Sequence, residues 1–135
     1  MKKIIKTLLV LPGLAILLTS FTIMNSSDGI LNDVSNAIRQ GKAAEVAKHF
    51  GANVDLTLPG SEGTMSRAQA EVLLRNFFST HGPAQVNTVH KTSGDGSFFA
   101  ILSLQTKAGD EFRVTILLKK VSDNYLLHQI KFEAQ

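Results

Sequence analysis

The 135-residue chain carries 14 Lys and Arg against 11 Asp and Glu, and three of the lysines, Lys2, Lys3 and Lys6, lie at its very start. Beyond those three, 11 basic residues balance 11 acidic ones, so the rest of the chain lacks the positive surface that binding to nucleic-acid phosphates requires. The absence of cysteine excludes disulfides and a lipid-modified cysteine anchor. We therefore expect one domain of roughly 110 residues that is stabilised by its apolar core.

The first segment of the chain has the composition of a secretory signal peptide. Its basic head precedes an apolar run from Leu8 to Met24, and polar residues follow from Asn25. This order predicts a bacterial protein exported to the periplasm or cell envelope, with residues 1–24 as the signal peptide, 25–29 as a tether and 30–135 as the domain. The run approaches the roughly 20 residues that span a bilayer, so a retained membrane anchor is the alternative. The break at Pro12 and Gly13 favours cleavage.

Helical spacing dominates the first half of the domain. The first predicted helix starts at an Asp28 N-cap, ends at Gly41 and buries Ile30, Leu31, Val34, Ala37 and Ile38. A second, short helix ends at Gly51. A third begins with a capping box between Ser66 and Gln69, and its apolar stripe comprises Ala70, Leu73, Leu74, Phe77 and Phe78.

Strands make up the rest of the predicted domain. Alternation from Val54 to Leu58 predicts one strand between the second and third helices, followed by a turn at Pro59-Gly60 and a loop. After Pro83 the apolar period is two as far as the C-terminus, which predicts four strands joined by short turns and therefore antiparallel. The fold class is α+β, in the order α-α-β-α-β-β-β-β, with the helices on one face of a curved antiparallel sheet.

Alternation also assigns the side chains of these four strands to two faces of the sheet. The face toward the helices receives Phe98, Phe112, Ile116, Phe132, His90 and His128. The outer face receives Phe99, Ile101, Leu117 and Leu127. We expect the second set to form an apolar patch that contacts a partner.

The order of elements resembles the NTF2-like, cone-shaped superfamily. More narrowly, the segment NVDLTLPGSEGTMSRAQAEVLLRNFFSTHGP (53–83) is similar to a family of short exported bacterial domains of unknown function. In that family a strand like Val54–Leu58 precedes a helix that ends in paired Phe, here Phe77 and Phe78. The resemblance covers residues 28–133. It implies a cone with an internal cavity, which the inward set Phe98, Phe112, Ile116, Phe132, His90 and His128 would line. It also implies dimerisation through the sheet face, which is common in the superfamily.

Three functions are compatible with these residues. A non-catalytic domain could hold a small apolar ligand in the cone or bind a protein partner. A homodimerising assembly domain of the envelope is the first alternative. The second is a cavity enzyme of the isomerase, dehydratase or hydrolase type that uses His128 as its base.

The sequence favours a domain without catalytic residues. A proton-transfer site needs a second titratable group near His128, and no Asp or Glu is assigned to the inner face. The histidines His49, His81, His90 and His128 stand on different elements without an i,i+4 pair, so no metal site and no cofactor is predicted.

Overall fold

The computed structural model describes residues 26–135, and the predicted signal peptide lies outside the described residues. The helices are α1 (Ser27–Arg39), α2 (Ala43–Ala47) and α3 (Arg67–Thr80). The strands are β1 (Phe50–Leu58), β2 (Ser61–Ser66), β3 (Pro83–Gly94), β4 (Ser97–Thr106), β5 (Glu111–Val121) and β6 (Asn124–Ala134). Within residues 26–135, no helix has the length and apolarity needed to cross a membrane.

Capping side chains fix where the longer helices begin. The Oγ of Ser66 accepts the amide N–H of Gln69, and the Gln69 side chain accepts the Ser66 N–H, each at 3.2 Å, so the predicted capping box of α3 is confirmed. For α1 the N-cap is Ser26, whose Oγ accepts the Gly29 N–H at 3.1 Å, and not Asp28. Residues 27–29 therefore belong to the first helix and not to a tether.

One six-stranded sheet runs in the order β2-β1-β6-β5-β4-β3. The hairpins β3–β4, β4–β5 and β5–β6 are antiparallel as predicted. The pairing of β1 with β6 is parallel, so the sheet is mixed and not purely antiparallel. No tight turn joins these two strands, and a long crossover can bring distant strands together in parallel.

The strand β2 occupies the segment that the sequence assigned to a loop. It pairs antiparallel with β1 across a tight turn in which Gly60 has a φ of +84°, a conformation that favours glycine. Its residues are half-buried or exposed. The sequence of β2 therefore shows no alternation of apolar and polar residues by which a strand could be predicted. The strand forms because it pairs with the open edge of β1.

The helices cover one face of the sheet and the core lies between them. α3 packs on β1 and β2, whereas α1 packs on β3 and β4. Four residues predicted to point inward, Phe98, Phe112, Ile116 and Phe132, are no more than 5% exposed. Their inward placement is confirmed. The opposite side, which no helix of the described chain covers, is called the helix-free face below.

A β-bulge in β6 reverses the predicted alternation in its first half. Leu118 pairs with Leu127, but the next residue of β5, Leu117, pairs with Gln129, so His128 is an extra residue. The buried positions of β6 are consequently Leu127 and Ile130, three apart. The predicted outward placement of Leu127 is wrong, because this side chain is 0% exposed in the core. His128, half-buried, stands with Gln129 opposite Leu117 on the helix-free face and not inside the cone.

A second bulge has the same effect in β3. Thr88 pairs with Leu102 and His90 with Ile101, which leaves Val89 as the extra residue. Ile101 alternates with buried neighbours and so belongs to the helix-free face. His90 is exposed there, and its predicted inward placement is wrong for this reason.

Candidate functional site

Four apolar side chains lie together on the helix-free face. Phe99 and Leu117 are cross-strand partners, and Ile101 occupies the next outward position of β4. Side chains in such positions are about 5 Å apart across a strand pair. Val89, added by the bulge in β3, is 66% exposed and lines a shallow depression of about 340 Å³ with Ile101. We call these four residues, Val89, Phe99, Ile101 and Leu117, the apolar patch.

Charges of both signs border the apolar patch. Arg113 of β5 pairs across the sheet with Glu133 of β6, and the Lys131 ammonium lies 3.8 Å from the Glu133 carboxylate. Lys119 lies further along β5. Glu111, which lines the depression beside the patch, adds a second carboxylate. Because charges of both signs are present, a second molecule can approach the face without facing a field of one sign.

The two histidines predicted to line the cavity meet this patch instead. His90 lies opposite Ile101 and His128 lies opposite Leu117. Within residues 26–135, neither imidazole has a hydrogen bond or ion pair. The carboxylate of Asp55, which is aligned with Gln129 beside the bulge, accepts a hydrogen bond from the Thr64 hydroxyl. A base–carboxylate pair of the kind that proton transfer requires is therefore not formed at His128.

Aromatic rings fill the inside of the cone. The Phe77 ring centroid lies 5.3 Å from that of Phe112 and 4.9 Å from that of Phe132. Phe78 contacts Phe132 edge-on at 6.1 Å. These distances are those of packed aromatic pairs, so Phe112 and Phe132 pack against other side chains where a cavity was predicted.

His81 joins this aromatic cluster, which the sequence did not reveal. Its ring lies 4.9 Å from Phe77 and 5.1 Å from Phe112. The only sign in the sequence is its position four residues after Phe77, on the same helical face. Outside the cluster, His81, Asp110 and Glu111 line an open depression of about 540 Å³.

A polar cleft of about 450 Å³ lies between α1 and α2. Asp33 lines it from α1, and the ion-paired Glu45 and Lys48 line it from α2, with the Lys48 ammonium 2.8 Å from the carboxylate. His49 completes the cleft. Burial lowers the pKa of His49, against a smaller opposite effect of the nearby Asp33 and Glu45 carboxylates. Residues 26–135 contain no group of three or more His, Asp or Glu side chains placed to hold a metal ion.

Comparison with known proteins places this architecture in a family. The domain of unknown function DUF4783 matches residues 31–133. A crystal structure of a DUF4783 family protein from Bacteroides ovatus is 32% identical, with a TM-score of 0.71, over 76% of this chain and 93% of that chain. A second, from Bacteroides uniformis, is 32% identical, with a TM-score of 0.72, over 77% and 95% respectively.

More distant structures identify the fold. An NTF2 design with a long sheet matches with a TM-score of 0.67 at 12% identity, over 79% of this chain and 99% of the design. No curated protein matches the chain. The chain belongs to the DUF4783 family, a family of domains of unknown function, and it has the NTF2-like fold.

Proposed function

We propose that this domain is a non-catalytic assembly module, and that two copies associate through their helix-free faces. The observation that carries the proposal is the apolar patch. Its side chains are contiguous and lie on the one sheet face that no helix of residues 26–135 covers. Val89 is exposed and the other three side chains are half-buried, and adjoining apolar side chains that remain partly open to solvent favour an interaction site.

The dimensions of the face favour a second copy as the partner. Six strands spaced about 4.8 Å apart, five of them 9 to 12 residues long and β2 only 6, make a face of at most roughly 24 Å by 33 Å, or about 800 Å². A stable interface of standard size buries about 800 Å² on each partner. Charges of both signs around the patch also allow a carboxylate of one copy to meet a cation of the other in a symmetric pair.

The other two functions have less support from the described residues. A small apolar ligand inside the cone would have to displace the packed rings of Phe77, Phe112 and Phe132, which costs the energy of that packing. A cavity enzyme would need His128 inside the cone with a carboxylate, whereas His128 lies on the helix-free face. The signal peptide predicted for residues 1–24 supports an assembly role outside the cytoplasm, in the periplasm or cell envelope.

Sedimentation velocity on the protein recovered after export from a bacterial host tests this proposal. The wild type is expected to sediment as a dimer at micromolar concentration. Ile101→Arg or Leu117→Arg should yield a monomer, because each would bury an unpaired charge at the centre of the interface. Far-UV circular dichroism confirms that each variant is folded.

Val72→Arg is the matched control. Val72 is 49% exposed on α3 and lines an apolar groove with Met65 and Leu73, away from the helix-free face. This variant should remain a dimer. A monomeric wild type at every accessible concentration, or dissociation by Val72→Arg and not by Ile101→Arg, would contradict association through the helix-free face.

A further inference from the structure

The two β-bulges place a histidine on each side of the apolar patch. The bulge in β3 brings His90 opposite Ile101, and the bulge in β6 brings His128 opposite Leu117. Without either inserted residue, alternation would assign both histidines to the helix-covered face. Two separate irregularities of the sheet therefore put titratable side chains beside the same apolar surface.

We propose that acidification weakens association through this face, because His90 and His128 become cations at the edge of the buried patch. The inference rests on the proposed function and names its regulation. Histidine is the side chain whose charge ordinarily changes between pH 5 and 8. A neutral imidazole can be covered by a partner at little cost, whereas an imidazolium must lose its hydration shell against apolar side chains.

The charges around His90 do not offset this cost. The neighbouring Lys91 is itself a cation, and its ammonium is bound 2.9 Å from the Asp28 carboxylate of α1. Across the strand pair, His90 faces only the apolar Ile101 and its neighbour Phe99 on β4. Glu111 and Arg113 of β5 line the depression beside the patch with charges of opposite sign. A proton on His90 thus adds positive charge where an arginine already balances the carboxylate, and within residues 26–135 the imidazole forms no ion pair.

The surroundings of His128 are similar. On β5 it meets Leu117, with Lys119 two residues further on. Lys131 of β6 is paired with Glu133. From β1, the Asp55 carboxylate lies beside the bulge, where it accepts a hydrogen bond from the Thr64 hydroxyl and, within residues 26–135, forms no ion pair with His128.

His49 is the remaining titratable group near the bulge. Its backbone carbonyl accepts the Leu127 N–H at 2.6 Å, and its side chain lines the cleft between α1 and α2 and not the helix-free face. The histidines positioned to sense the pH at the patch are accordingly His90 and His128.

The expected size of the effect follows from ordinary histidine titration. Each histidine that must be neutral in the complex raises the Kd by up to about tenfold per pH unit once its side chain titrates, and the range from pH 7.5 to pH 5.5 spans the ordinary titration of histidine. Since two such residues border the patch, the Kd for self-association should rise at least tenfold over the full range.

Sedimentation equilibrium of the full protein from pH 7.5 to pH 5.5 tests the inference, using those pH values at which the circular dichroism spectrum is unchanged. The wild type should dissociate progressively as the pH falls. The double variant His90→Gln with His128→Gln should dimerise with nearly the same Kd throughout. His81→Gln, whose imidazole lies in the aromatic cluster on the other side of the sheet, should keep the wild-type pH dependence.

The outcomes separate the inference from the proposed function. A wild type that dimerises at pH 7.5 with a Kd independent of pH overturns the regulation and leaves association intact. A pH dependence that survives in the double variant also overturns it. A wild type that is monomeric at pH 7.5 overturns the association and, with it, the regulation that rests on it.

Discussion

Replacing Leu127 by alanine tests the bulge in β6, on which the assignment of faces depends. Leu127 is 0% exposed, and a fully buried Leu→Ala substitution costs about 2–5 kcal/mol through lost burial and the cavity left behind. Leu126, its half-buried neighbour, points to the helix-free face beside Lys119. The same truncation there should cost about 1 kcal/mol or less, because little apolar surface leaves water on folding.

Urea denaturation followed by circular dichroism measures the difference, since the chain has no tryptophan. A loss of about 3 kcal/mol lowers the melting temperature of a domain of this size by roughly 10–20 °C. Both variants are compared at one protein concentration, because association would add to the apparent stability. If Leu126→Ala lowers the free energy of unfolding as much as Leu127→Ala does, or more, the bulge at His128 is refuted and β6 alternates regularly.

Further tests address a half-buried imidazole, a strained turn and the N-terminus. Because burial lowers the pKa of His49, the unfolded chain binds this proton more readily, so stability should fall as the pH drops below about 6.5. His49→Gln should make the free energy of unfolding depend less on pH, as measured by urea denaturation at several pH values. An unchanged pH dependence in this variant would contradict the role of His49. Ser122 has a φ of +57° in the β5–β6 turn, a conformation that glycine adopts without strain. Ser122→Gly should therefore raise the free energy of unfolding by about 0.5 kcal/mol or more, and with it the melting temperature. Asp123 has no positive φ, so Asp123→Gly should lower the melting temperature. A lower melting temperature for Ser122→Gly than for Asp123→Gly would argue against backbone strain at Ser122. Mass spectrometry of the exported protein should show an N-terminus near Asn25, whereas an intact Met1 would indicate a retained anchor.

Local spacing predicted most of the helices and hairpins correctly. The apolar stripe and capping box of α3 depend on residues three and four apart, and such contacts are encoded within the helix itself. The turns after Gly94 and Val121 likewise carry their own Gly, Ser and Asp residues. Phe99, Ile101 and Leu117 lie where alternation places them, because β4 and β5 are regular over that stretch.

The errors arise where distant pairing decides the structure. Leu126 and Leu127 are both apolar, so either one satisfies a period of two, and nothing local shows that His128 is an inserted residue. Val89 entered the patch for the same reason. The parallel pairing of β1 with β6 depends on contacts between the two ends of the domain, which no local pattern contains.

The place of β6 in the sheet has a consequence for how the chain folds. The last of the described strands along the chain, β6, lies between β1 and β5, near the middle of the sheet, where Leu56 pairs with Ile130. Contacts of such high sequence separation require closure of a long loop and slow folding. The amino-terminal helices and β1 therefore have no complete core to pack against until the final residues are available. Folding of the domain must wait for β6, and a truncation before Asn124 would leave β1 and β5 with open edges.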